Sequence, residues 1–270
     1  MRKITSMVLI LLLTLALAVQ AGFASTEVRQ VGNYSDEMKI PYGTDLSPDD
    51  GADSVEREGD HKDSPYFSSL DFYNMSSTET LTILHNFATQ QQTSEWSCGV
   101  TTSLMVLEWY GKLGNHDEQS LSEFRKPSEF NEGRLPGGTI PSATSLQQMI
   151  DIFEGIGGFD IFSTFDCADS VYDVFTLEYI RTTLEEGHPV LIGWNDWGGH
   201  WQAIIGYDTM GTEYEGDDVI IVADPYDTTD HNQDGYGVYG AERFIYNFTF
   251  YNFFPEEELN EMTFLVATPK

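Results

Sequence analysis

The chain has 270 residues, with 44 acidic side chains against 13 basic ones and a formal net charge of −31. A surface this negative repels phosphate backbones and anionic lipid, which argues against nucleic acid or a membrane surface as partner. It suits solubility in saline surroundings, a cationic substrate or a divalent metal, and a chain this long can build a core that needs no disulfide staple.

Arg2 and Lys3 precede an apolar run from Met7 to Leu13, continued by "TLALAV", with small residues at Ala21 and Ala24. This pattern predicts a secretory signal peptide over residues 1–24, cleaved after Ala21 or Ala24. The rival reading is an uncleaved anchor, but about 17 apolar residues lie at the bottom of the spanning range. No later segment is apolar enough to cross a bilayer, so a secreted or extracytoplasmic protein without membrane insertion is expected. Residues 25–65 are acidic, poor in apolar side chains and punctuated by Gly and Pro, the composition of a disordered tether or pro-segment. One domain is expected over residues 66–270.

Within that domain "TLTILHNFATQQ" reads as a strand leading into "QTSEWSCGVTTSLMVLEWYG", Gln92 to Gly111. There Val100, Leu104 and Leu107 recur with helical spacing, and Gly111 and Gly114 end the run. "SATSLQQMIDIFEGIGG" predicts a second helix, with Ser142 or Thr144 near its start. "FDIFSTF" predicts a short strand, and "TLEYIRTTLEEG" a third helix closed by Gly187. The runs "PVLIGWND", "HWQAIIGYDT", "DVIIVADPY", "RFIYNFTFYNFF" and "MTFLVATP" are then β-rich and separated by turn residues. Helices first and a mostly antiparallel sheet afterwards predict an α+β domain.

Cys98 stands where a polar loop gives way to the first helix, and Cys167 is the only other cysteine. Cys98 is either half of a structural disulfide or a nucleophile on a helix's first turn, where unpaired amides and the helix dipole stabilise a thiolate. Ser97 is the candidate N-cap. Gln92, six residues earlier, offers a side-chain amide to an oxyanion, with the Cys98 backbone N–H as second donor. Of six histidines, His61, His116 and His231 fall in polar segments, His85 on the entering strand and His188 after a helix-ending glycine. His200 differs, because it opens the apolar strand "WQAIIGY" directly after paired glycines. Asp224, at the end of "DVIIVA", is the candidate to orient its imidazole, with Asp196 and Asp208 as alternatives. Separately, Asp230, Asn232 and Asp234 with Gly235 form D-x-N-x-D-G, the opening of a calcium loop. Ala241 occupies the twelfth position where a bidentate acid belongs, so a structural calcium competes with a solvated acidic turn.

"QTSEWSCGVTTSLMVLEWYG", "GHPVLIGWNDWGGHWQAIIGYD" and "VADPYD" together resemble the bacteriocin-processing (double-glycine) cysteine peptidases, family thirty-nine of the cysteine peptidases, in the papain-like superfamily. The resemblance implies a papain-like fold with Cys98 and His200 as catalytic pair, Asp224 orienting the histidine and Gln92 supplying the oxyanion hole. It implies a peptide or protein substrate and no required cofactor. Members built into peptide exporters carry a membrane domain and an ATPase absent from these 270 residues, and act facing the cytoplasm. Their substrate therefore does not transfer. A catalytically silent peptide- or wall-binding module, or an acyltransferase or amidase using the same Cys–His apparatus, remains as the alternative.

Overall fold

Each apolar run that the alternation rule assigns to a strand must bury one face, and the two most continuous runs bury both. Val190–Trp194 (β3) is buried at every position, and His200–Asp208 (β4) at all but its last. Such strands need cover on two sides. The computed structural model describes residues 70–94, 97–126, 144–168, 170–196, 199–227, 234–248 and 262–270. All of them belong to the second of two compact units, Val31–Lys270.

In chain order the strands are β1 (Leu81–Ile83), β2 (Phe159–Ser163), β3, β4, β5 (Val219–Ala223), β6 (Tyr236–Gly240) and β7 (Thr263–Pro269). The helices are α1 (Cys98–Trp109), α2 (Glu118–Ser122), α3 (Leu146–Ile156), α4 (Val171–Val174), α5 (Leu177–Glu185) and α6 (Ala241–Asn247). The sheet runs β2-β7-β3-β4-β5-β6, and β1 adds to β4. Every described pairing is antiparallel. β4 is long enough to take β3 along its first half, Trp194 opposite His200, and β1 along its second, Ile83 opposite Gly206. Where the two neighbours change over, the β4–β5 register shifts between Ile204 and Gly206. The helix group α1, α2 and α3 packs against the sheet, as does the group α5 and α6. The α+β class expected from the sequence is the class observed.

Several expectations are met closely. The second predicted helix is α3, capped by Ser145, one residue after Thr144, whose hydroxyl accepts from Gln148 N (3.3 Å) while Gln148 Oε1 accepts from Ser145 N (3.0 Å). Two expectations need correction. "TLTILHNFATQQ" is a strand only over Leu81–Ile83, because the backbone turns directly after it: Phe87 N donates to Leu84 O (3.3 Å) and Asn86 has a φ of 59°. "RFIYNFTFYNFF" begins as helix α6, not strand. Ala241, Phe244 and Phe248 are buried at helical spacing, and the Phe244 and Phe248 rings stack at 5.0 Å. Residues 249–261, the rest of that run, lie outside the described residues, as do the predicted signal peptide and acidic segment, residues 1–65. Among the described residues no helix is long and apolar enough to cross a membrane.

Candidate active site

Register places the first cluster. Ala203 pairs with Ala223, so the next residue of β5's trace, Asp224, falls opposite Gln202. His200 and Gln202 share one face of β4, since side chains repeat every second residue. Both reach the same carboxylate: His200 Nε2 lies 2.7 Å from Asp224 Oδ1, and Gln202 Nε2 donates to Asp224 Oδ2 at 2.7 Å. Tyr226 N also donates to Asp224 Oδ1 (2.7 Å). Gln202 is held in turn by Trp194 Nε1, which donates to its Oε1 (2.9 Å), and its Nε2 contacts Tyr239 Oη (3.3 Å). His200 and Asp224 are both buried.

Cys98 arrives from the other side on α1. Thr102, one turn along, donates its hydroxyl to Trp201 O (3.0 Å), and Trp201 Nε1 donates to Thr144 O (2.7 Å). These bonds seat the head of α1 on the start of β4, next to His200. The Cys98 sulfur is close enough to the imidazole to act on its charge. With Nε2 turned to Asp224, Nδ1 is the ring atom left for the sulfur. Burial alone would push the His200 pKa down, but the Asp224 carboxylate and then the Cys98 sulfur outweigh it and hold it at about 10. Burial alone would raise Asp224, yet the facing imidazolium and the hydrogen bonds to its carboxylate hold it below the ordinary range. Gly199 precedes His200 with φ of 134°, a conformation that favours glycine, and its N–H closes a turn on Asp196 O (2.8 Å).

The third cluster is the run Gln90-Gln91-Gln92, which ties the loop after β5 to α1. Gln90 Nε2 donates to Glu108 Oε2 (2.7 Å). Gln91 Nε2 donates to Asp224 O (3.3 Å), while its Oε1 accepts from Asp227 N (3.1 Å). Gln92 N donates to Pro225 O (2.7 Å), and its side-chain Nε2 donates to Ser94 O (2.6 Å), leaving Oε1 buried without a hydrogen-bond partner. Ser97 occupies the N-cap position of α1 but makes no side-chain cap bond; its hydroxyl interacts with Ser94 instead. The first backbone bond into α1 runs from Thr101 N to Ser97 O (2.9 Å), so the amides at the head of the helix keep the free donors that every helix start has.

The structure therefore brings Gln92, Cys98, His200 and Asp224 together. Both cysteines are free, and Cys167 is on β2's side of the molecule, its Sγ 3.7 Å from Ser163 O. Asp196 instead contacts Tyr239 Oη (3.4 Å), and Asp208 caps the turn at Met210 N (2.8 Å) at the far end of β4. His85 contacts Met75 O, and His188 bonds Tyr110. Asp230 and Asn232 lie outside the described residues. Asp234 Oδ1 accepts from Tyr236 N (3.0 Å), and among the described residues no group of three or more His, Cys, Asp or Glu is arranged to hold a metal. Gln202 is the site residue that motif reasoning missed. Its signal was there: two residues after a candidate histidine on one strand is the same face.

A family model described as "Peptidase_C39 like family" matches residues 84–249, more than half of the chain. The chain belongs to the Peptidase_C39-like family. The match runs from the end of β1 through α6, so this C39-like segment contains all four clustered residues. No curated protein matches the chain.

Proposed function

We propose that this C39-like protein is an exported cysteine peptidase that cleaves peptide bonds through a thioester on Cys98. The observation that carries the reading is the His200 imidazole, bonded through Nε2 to Asp224 and near enough to the Cys98 sulfur for each to act on the other's charge. An imidazolium beside the sulfur stabilises negative charge on it, which prepares the attack. The sulfur adds to the substrate carbonyl, and the carbonyl π pair moves onto oxygen. The second N–H of Gln92 Nε2 and the Cys98 backbone N–H are the donors offered to that oxyanion. His200 gives its proton to the departing amine, leaving the acyl thioester, and then takes a proton from the water that hydrolyses it. Asp224, clamped by Gln202 and Tyr226 N, keeps the ring in one orientation throughout. Only the chain's own groups take part. Residues 1–24 act as the export signal and are removed, so the substrate is a peptide or protein outside the cytoplasm.

The deciding experiment is labelling of the purified protein by a peptidyl electrophile, followed by peptide mapping. A single adduct on Cys98, absent in His200→Ala, is the expected result. Intact protein with no Cys98 adduct, still binding peptide, would be a silent module that uses the same cleft.

A further inference from the structure

The chemistry proposed above needs Gln92 held against the head of α1. Hydrogen bonds from both sides converge on one buried side chain. Glu118 opens the short helix α2 and is 1% exposed. Its Oε2 accepts from Thr93 Oγ1 (2.7 Å), and its Oε1 accepts from Thr93 N (3.4 Å) and Thr101 Oγ1 (3.1 Å). Thr93 follows Gln92 directly, and Thr101 lies one turn into the nucleophile's helix, its hydroxyl also within reach of Ser97 O (3.1 Å). One buried carboxyl thus ties the residue after Gln92 to the first turn of that helix.

We propose that Glu118 is a positioning residue of the oxyanion site, clamping Thr93 to the first turn of α1 so that the Gln92 amide and the Cys98 N–H face one point. The inference rests on the reading of Cys98 as nucleophile and Gln92 as oxyanion donor. Only an ionised carboxylate accepts from all of these donors at once; protonated, it must direct a hydrogen at one of them. Burial raises its pKa to about 7, against the pull of its bonds to Ser97, Thr93 and Thr101. The groups facing it from the turn and from α1 are neutral hydroxyls and an amide. The titratable neighbours of this patch are Arg125, buried just after α2, and Cys98, and both Cys98 and Glu118 act on the Arg125 guanidinium. The clamp is complete above pH 7 and slackens below it.

The test compares two probes on the full chain and on Glu118→Gln and Glu118→Ala. Iodoacetamide alkylates sulfur by displacing iodide and forms no oxyanion. The aldehyde acetyl-Leu-Leu-argininal takes sulfur onto its carbonyl carbon and places an oxyanion in the site. Glu118→Ala should weaken aldehyde binding by ~10-fold or more, below the 10²–10³ expected for outright loss of a donor, while alkylation stays within about threefold. Aldehyde affinity in the wild type should rise as pH passes 7. Glu118→Gln, which keeps most of the hydrogen bonds, should restore most of the affinity and lose that rise. Equal loss of both reactions in Glu118→Ala, or a wild-type pH profile in Glu118→Gln, overturns the inference. Where the alanine chain does not fold, the glutamine profile decides alone. A wild type that is alkylated on Cys98 but blind to the aldehyde has no oxyanion site, which overturns the inference and leaves the nucleophile standing. A wild type inert to both probes removes the nucleophile reading and the inference with it.

Discussion

An imidazole titrates and turns as its neighbours dictate, so the value of His200 depends on residues that never meet a substrate. Asp224 presents two oxygens: one faces the ring, the other is tied to Gln202, itself tied to Trp194. Removing Gln202 leaves a buried carboxylate oxygen and an indole N–H without partners, a penalty of about 1–3 kcal/mol for each neutral group and more for a charged one. Gln202→Ala should therefore lower kcat by roughly tenfold or more with little change in KM, because Asp224 then swings and the ring follows. Asp224→Asn should cost more than that and less than His200→Ala. Steady-state kinetics on the three variants give the order. If Gln202→Ala raises KM alone, the residue acts on substrate binding rather than through Asp224 and His200. Under the proposed mechanism, in which the Gln92 amide serves charge that exists only in the transition state, Gln92→Ala should reduce kcat by roughly 10²–10³-fold.

Elements decide whether such residues meet, and α1 does so by close approach. Gly99 follows Cys98, and a Cβ there would stand 2.7 Å from Thr144 Cβ and 3.0 Å from Met149 Sδ. The Thr144 backbone is pinned by Trp201, so the contact has little room to give. Gly99→Ala should push the head of α1 away from α3, at about 1–3 kcal/mol of overpacking, and move Cys98 from His200. A lowered Tm together with slowed Cys98 labelling is the expected pair; an unchanged labelling rate would mean that the helix tilts without moving its first residue. The same local rules explain what was legible in the sequence. α1, α3 and α5, and the strands β2 to β5 and β7, carry their period and their caps within one continuous run. β6 was not legible, because Gly237 and the half-exposed Tyr239 break its alternation, and it is held by pairing to β5. α6 looked like a strand because its aromatics favour one, and only packing against Trp194, 5.2 Å from Phe244, selects the helical spacing. Cys98 and His200 were legible as polar residues at the starts of a helix and a strand, and Gln92 as a loop residue ahead of that helix. Gln202 and Glu118 were not, since their roles come from register and from a contact 25 residues away in sequence, between Thr93 and Glu118.

For the molecule as a whole, the buried groups of the site set how stability follows pH. Glu118 has its carboxyl raised to about 7 when folded. Between its unfolded value, 4.5, and 7 the native state holds a proton that the unfolded chain has lost, so stability falls as pH rises through that window. The shift corresponds to roughly 3 kcal/mol at 1.36 kcal/mol per unit. His200, raised from 6.5 to about 10, contributes stability that is complete below 6.5 and is lost as pH climbs through 10. Asp224, held low, contributes stability present above the ordinary carboxylate range and lost on strong acidification. The net charge of −31 adds self-repulsion that also grows as carboxylates ionise. All but the Asp224 effect point one way from pH 5 upward. Tm should be highest near pH ~5 and decline toward pH 9 in thermal melts. Salt should raise Tm by screening the surface charges, while the decline due to buried Glu118 persists because buried groups are screened much less. Glu118→Gln isolates that part: its Tm should fall less than that of the wild type between pH 5 and 7, and should still decline at alkaline pH where His200 titrates. A wild-type Tm that climbs steadily from pH 5 to 9 would mean that Glu118 and His200 do not hold their protons more tightly in the folded chain than in the unfolded one.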